Sequence, residues 1–222
     1  MILGPTLFLR CINDTCNHLF KSSSYQSGNT FGSRVYSDGK VYSPMLPKET
    51  EYSKCPNCSV FARNEDLKKR IERSEDIFLV EDNYSESDPN ISYLVDLTID
   101  EYVELLHTTD FIEDKAEEIH IRFLLMFKFN DRIRNRKRIF NNQYEQNIHE
   151  ENLVYLIENL DISIEENKLL KAEFLRNLRR FDESLAILET IEDEEFDFVV
   201  NQIKKKCNIK SYLTFELILP DE

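Results

Sequence analysis

Lys54-Cys55-Pro56-Asn57-Cys58-Ser59 is the stretch on which the fold turns. Pro56 presets a tight turn between two thiols, and such a turn aims backbone N–H groups back at the sulfurs. A second pair, Cys11 and Cys16, lies upstream, with 38 residues between the two pairs. Four thiolates are the soft ligand set that zinc binds as a tetrahedron, so Cys11, Cys16, Cys55 and Cys58 are read as one site. The spacing of Cys11 and Cys16 is looser than that of Cys55 and Cys58, within what zinc sites tolerate. His18 in place of Cys16 is the alternative ligand, and four metal-free thiols are the remaining reading. Arg10 and Lys54 stand beside Cys11 and Cys55, where positive charge favours thiolates. Four protein ligands leave no position for a catalytic water, so the zinc is read as structural.

The composition changes downstream of this stretch. Gly4, Gly28, Gly32 and Gly39 are the only glycines, and none follows residue 63. Residues 1–63 hold 7 Lys and Arg against 4 Asp and Glu, a net of +3; the rest hold 21 against 38, a net of −17. A boundary is therefore placed between a zinc-ribbon domain over 1–63 and a helical domain over 64–222. Within the first, Arg34-Val35-Tyr36 and Lys40-Val41-Tyr42 flank Ser37-Asp38-Gly39, a hairpin signal in which Asp-Gly supplies the turn. Pro44 and Pro47 end its second strand, because proline cannot donate to a ladder.

Downstream, apolar spacing predicts helices. Asn64 is a candidate cap for a helix through about Arg73. Residues 75–96 are acidic and irregular, and Ile77-Phe78-Leu79-Val80 reads as a strand or a packed loop. Thr98 with Glu101, and Ser163 with Glu166, have capping-box spacing. Asp110 or Asp114 opens a helix with Ile119, Phe123, Met126 and Phe127 on its apolar stripe. His149 to Leu160 places Leu153, Leu156, Ile157 and Leu160 on one face. Phe181-Asp182-Glu183 opens a helix with Leu185, Leu188 and Ile191. Glu195 to Cys207 carries Phe196, Val199, Val200 and Ile203, and its lysines suit the negative end of the helix dipole. Residues 211–219 alternate like a strand as well as they spiral like a helix.

The segment from Leu169 through Phe181-Asp182-Glu183 to Leu188 resembles one tetratricopeptide unit, with Ala172 and Ser184 as the small residues that let two helices approach. Arg179 stands where that turn usually has glycine, no proline closes the unit, and no 34-residue repeat is evident upstream. The domain is therefore read as tetratricopeptide-like or an irregular bundle. The order Tyr36-Ser37-Asp38-Gly39-Lys40, Pro44-Met45-Leu46-Pro47, Cys55-Pro56-Asn57-Cys58, Asn130-Asp131 and Phe181-Asp182-Glu183 resembles a family of bacterial proteins with an N-terminal zinc ribbon and tetratricopeptide-like C-terminal helices. That resemblance implies a fold of class α+β, a small β-rich zinc ribbon followed by a mainly α-helical domain. It implies no activity.

The totals exclude several functions. A net charge of −14 repels nucleic acid and anionic membranes as a whole. The apolar run at Leu7-Phe8-Leu9 is too short for a signal core or a membrane span, so a cytoplasmic location and no membrane partner are expected. In a reducing compartment paired cysteines bind metal more often than they form disulfides, and Cys207 is read as an inert buried thiol. The sequence carries no phosphate-binding glycine loop, nucleophile elbow or His-Glu-x-x-His motif, and His18, His107, His120 and His149 are scattered. The chain is expected to be no enzyme but a protein-interaction module, an adaptor or regulator with a protein partner. One alternative is a nucleic-acid-associated regulator that uses the ribbon, with its Tyr25, Tyr36, Tyr42 and Tyr52, and the basic cluster Lys128, Arg132, Arg134, Arg136, Lys137 and Arg138. The plain reading of that cluster is a solvated face paired with carboxylates. The other alternative is a redox-sensing zinc switch, in which oxidation of Cys55 and Cys58 releases the metal.

Overall fold

The computed structural model describes residues 2–16, 18–46, 49–73 and 89–219. Its strands are β1 (Ile2–Leu3), β2 (Leu7–Arg10), β3 (Leu19–Ser22), β4 (Tyr25–Ser27), β5 (Arg34–Val35), β6 (Val41–Tyr42), β7 (Tyr52–Lys54), β8 (Phe61–Arg63) and β9 (Ser92–Tyr93). Its helices are α1 (Asn64–Arg73), α2 (Ile99–Leu106), α3 (Lys115–Arg134), α4 (Gln143–Asn159), α5 (Glu165–Asn177), α6 (Phe181–Leu188) and α7 (Asp197–Asn208). The fold is thus mixed α and β, with short sheets and a helical majority toward the C-terminus. No described helix is long and apolar enough to cross a membrane. Residues 77–80 lie outside the described residues.

Contacts divide the chain into two units. One is Met1–Gly32 with Ser43–Phe111; the other is Ser33–Tyr42 with Ile112–Glu222. The division differs from the 63/64 boundary drawn on glycine content. In the first unit β2 pairs antiparallel with β3, from Leu7↔Ser22 to Arg10↔Leu19, and β9 joins β3 in parallel. β7 and β8 form a second hairpin, with Tyr52 opposite Arg63. Leu9, Phe20, Ala62 and Leu67 are buried together with Cys11, Cys16 and Cys55. Sulfur is therefore part of this small core. Thr98 caps α2 with both halves of the capping box in place: its side chain accepts from Glu101 N–H, and the Glu101 carboxylate accepts from Thr98 N–H. Tyr102 and Leu105 turn inward from that helix. Asn64, read as a cap, uses its buried amide to tie the hairpin: its Oδ1 accepts from Ser53 Oγ and its Nδ2 donates to the Thr50 carbonyl.

In the second unit successive helices pack against one another. α5 is central, with Leu169 and Ala172 in one apolar cluster beside Val199, Val200 and Ile203, and Phe174 and Leu175 in another beside Met126, Leu153 and Leu156. Burying a side chain of this size contributes about 1.5–3 kcal/mol. Asp114 caps α3, and α4 starts at Gln143 under an Asn142 cap, earlier than its apolar stripe suggests. Ala172 and Ser184 are fully buried, and Ser184 Oγ donates 2.7 Å to the Ala172 carbonyl, so the small residues bring α5 and α6 together. The box expected at Ser163 and Glu166 does not form. Ile164 takes the cap position without a side-chain bond, because Asp161 Oδ1 captures the Ser163 N–H at 2.9 Å.

The Asp38-Gly39 hairpin forms as β5 and β6, with Arg34 opposite Tyr42 and Gly39 at φ 83°. It belongs to the helical unit and not to a ribbon, because its tip carries acids' and hydroxyls' partners there. Asp38 is 0% exposed; its Oδ2 accepts 2.7 Å from Asn130 Nδ2 and pairs with Arg134. Lys40 Nζ pairs with Asp131 at 2.6 Å. Ser37 Oγ donates 2.7 Å to Glu173, which is itself sealed in an ion pair with Arg176, both side chains 0% exposed. Residues 211–219 resolve as extended chain: Ser37 N–H donates to the Phe215 carbonyl, Leu217 N–H to the Val35 carbonyl, and Tyr36 bridges Glu216.

Candidate metal centre

Each cysteine pair sits in the turn of a hairpin. Between β2 and β3, the Cys11 N–H donates to the His18 carbonyl and closes the strands. The turn inside is knotted by Asn13, whose Oδ1 accepts from the Thr15 N–H and hydroxyl and whose carbonyl accepts from Cys16 N–H. Between β7 and β8, the Cys55 N–H donates to the Val60 carbonyl and the Ser59 N–H to the Cys55 carbonyl. Ser59 closes that turn at φ 60°, in the left-handed region.

The four sulfurs lie within 4.8 Å of one another, with Cys11 Sγ to Cys58 Sγ at 3.6 Å and Cys16 Sγ to Cys55 Sγ at 3.8 Å. None is in a disulfide. Zinc–sulfur bonds of about 2.3 Å arranged as a tetrahedron require sulfurs about 3.8 Å apart. The donor set therefore fits a tetrahedral thiophilic ion in both chemistry and spacing. Cys11, Cys16 and Cys55 are buried and Cys58 is half-buried. His18 is not in the cluster: its ring packs edge-on against Phe20 at 4.8 Å, and it serves the site through its backbone carbonyl.

The thiols are unequal. Burial pushes Cys11 up to about 12 and raises Cys55 as well. The Asn57 amide, donating 3.3 Å to Cys16 Sγ, is the main cause that holds that thiol down at about 6. Cys11 and Cys55 keep their protons until an ion displaces them, so binding releases protons, while Cys16 offers a thiolate in advance. The charge attributed to Lys54 is spent elsewhere, on Glu104 at 2.5 Å and over the Phe61 ring. Arg10 points to solvent. Asn57 is the residue that sequence reading missed. Its place inside the Cys-Pro-Asn-Cys turn, with an amide long enough to reach across to the other pair, was the available signal.

Cys207 and the basic cluster lie in the helical unit. Cys207 is buried, with Sγ 3.4 Å from Ser184 Oγ, and burial raises its thiol. Arg132 is locked to Glu145 through both guanidinium ends, at 2.6 and 2.9 Å, and that pairing holds the Glu145 carboxyl down at about 2. Arg134 is spent on Asp38 and Asp131. Arg136, Lys137 and Arg138 are exposed just beyond α3. No family model matches the chain, and neither do curated proteins or solved structures.

Proposed function

We propose that the chain is a zinc-stabilised protein-interaction module: a zinc ribbon carrying Cys11, Cys16, Cys55 and Cys58 as structural ligands, joined to tetratricopeptide-like helices, acting as an adaptor or regulator without catalysis. The observation that carries it is the four-sulfur cluster itself. A tetrahedral ion held by four protein sulfurs has no position left for water or substrate, so the metal serves shape and not turnover. The reduced thiols fit a reducing compartment such as the cytoplasm.

A groove of about 490 Å³ runs beside the Cys55 turn, between Ser53-Lys54 of β7 and the β9 segment from Ser92 to Leu97. Tyr93 and Val95 stand exposed on its wall. This is the contact surface the proposal assigns to the ribbon. A nucleic-acid role finds less support, since two of the six cluster cations are neutralised within the fold; its remaining support is the exposed Arg136-Lys137-Arg138 run.

The test is purification of the full chain with its bound metal counted by mass spectrometry, followed by reconstitution with whatever protein co-purifies. One zinc per chain and a stoichiometric complex lost in Cys55→Ser with Cys58→Ser are expected. Turnover in a broad substrate screen, or salt-sensitive oligonucleotide binding abolished by Arg136→Glu with Arg138→Glu, would replace this reading.

A further inference from the structure

A partly open pocket of about 20 Å³ in the helical unit is lined by Asn130, Phe140, His149, Asn177, Tyr212 and Thr214 among others. Two buried polar atoms on its wall have no partner: His149 Nε2, on α4, and Asn177 Oδ1, on α5. His149 is only 3% exposed, its ring held edge-on by Phe129 at 5.1 Å and Phe140 at 5.2 Å. The Asn177 amide has no freedom to turn over. Its Nδ2 donates to Glu173 Oε1 at 3.0 Å and to the Tyr212 carbonyl at 2.9 Å, which leaves Oδ1 as the acceptor facing the pocket. An unsatisfied buried polar atom costs about 1–3 kcal/mol. A space of about 10–15 Å³ on this measure is enough for one water, provided two or more polar partners converge on it.

We propose that this pocket binds a single ordered water that donates to Asn177 Oδ1 and bonds to His149 Nε2. That volume matches one water. The site extends a buried polar chain that already runs from Ser37 in the hairpin through Glu173 to Asn177, and carries it across to α4. His149 is then a water ligand rather than a spare base.

The test is a high-resolution crystal structure of the full chain, with and without Asn177→Leu. One density peak within about 2.7–3.2 Å of both atoms is expected in the wild type and its loss in the variant. The absence of a peak, a peak bonded to only one of the two atoms, or a direct protein partner on either atom overturns the proposal. Should the variant fail to fold, nuclear Overhauser contacts between the His149 ring and a long-lived water in the wild type decide the matter, and their absence counts against it.

Discussion

Asp38 has zero exposure, and Arg134 meets it from 96 residues further along the chain. Removing Asp38 leaves Arg134 with Asp131 as its carboxylate partner and deprives the buried Asn130 amide of its acceptor, which costs about 1–3 kcal/mol. Asp38→Ala is therefore expected to destabilise the helical unit by that amount in urea denaturation, far beyond the loss of a surface turn residue; a change under about 1 kcal/mol would contradict the burial described. The turn itself was legible in Asp38-Gly39, because turn chemistry is local. Its docking was not, since nothing adjacent to Asp38 announces Arg134 or Asn130. His149 shows the same gap between local and tertiary information. It looked like one of four scattered histidines, yet burial holds it down at about 4, against an ordinary value near 6.5. The folded state thus disfavours the proton. Stability is undiminished above pH 6.5 and declines as pH falls toward 4, because the unfolded chain protonates first; the span corresponds to about 3 kcal/mol. His149→Phe is expected to flatten that part of the urea-midpoint profile relative to wild type, with the cysteine site common to both.

Helix ends show why some elements were readable and others were not. The Thr98 box was visible and forms, with the Glu101 carboxylate accepting from the Thr98 N–H at 2.9 Å. The Ser163 box was equally visible and fails, because Asp161 reaches the Ser163 N–H first. Helix stops were harder. Sequence reading looks for glycine beyond the last turn, and this chain has none after Gly39. Instead Arg136, Arg179 and Lys210 adopt φ of 57°, 62° and 54°. Each closes a double bond pattern of the Schellman type: Lys137 to the Arg132 carbonyl with Arg136 to Ile133, Arg180 to Leu175 with Arg179 to Arg176, and Ser211 to Lys206 with Lys210 to Cys207. A side chain in this conformation costs about 1–2 kcal/mol where glycine costs almost nothing. Arg136→Gly and Lys210→Gly are expected to raise the unfolding free energy by about 1 kcal/mol each and to add, since the sites share no partner. Arg179 differs, because its guanidinium lies 4.2 Å over the Tyr212 ring and glycine there forfeits that contact. Thermal melts of the three single variants separate the cases, and a loss of stability at Arg136 or Lys210 would refute the strain argument.

At the scale of the molecule, the two units rest on different physics. The helical unit has two apolar clusters and buried ion pairs to hold it. The other unit gathers Leu9, Phe20, Ala62 and Leu67 around sulfur, and away from the sulfurs buries Phe61, Leu97, Tyr102 and Leu105. Structural zinc supplies about 10–16 kcal/mol of apparent binding free energy at neutral pH, against a whole-domain stability of about 5–15 kcal/mol. Withdrawing the zinc proposed for the four sulfurs would therefore remove free energy on the scale of a domain's stability. Chelation is expected to melt Met1–Gly32 with Ser43–Phe111, taking α1 and α2 out of the far-ultraviolet signal, while α3 through α7 persist. Proteolysis of the chelated protein should then cut on both sides of Ser33–Tyr42 and still leave that hairpin bound, because Asp38, Lys40 and Ser37 anchor it to the helices and not to the cysteine turns. The expected product is a protected piece beginning near Ile112 that retains a short peptide through non-covalent contacts, read by native mass spectrometry. An unchanged cleavage pattern after verified metal loss would remove the ion from its structural role; loss of the hairpin with the cysteine unit would show that the anchoring runs the other way.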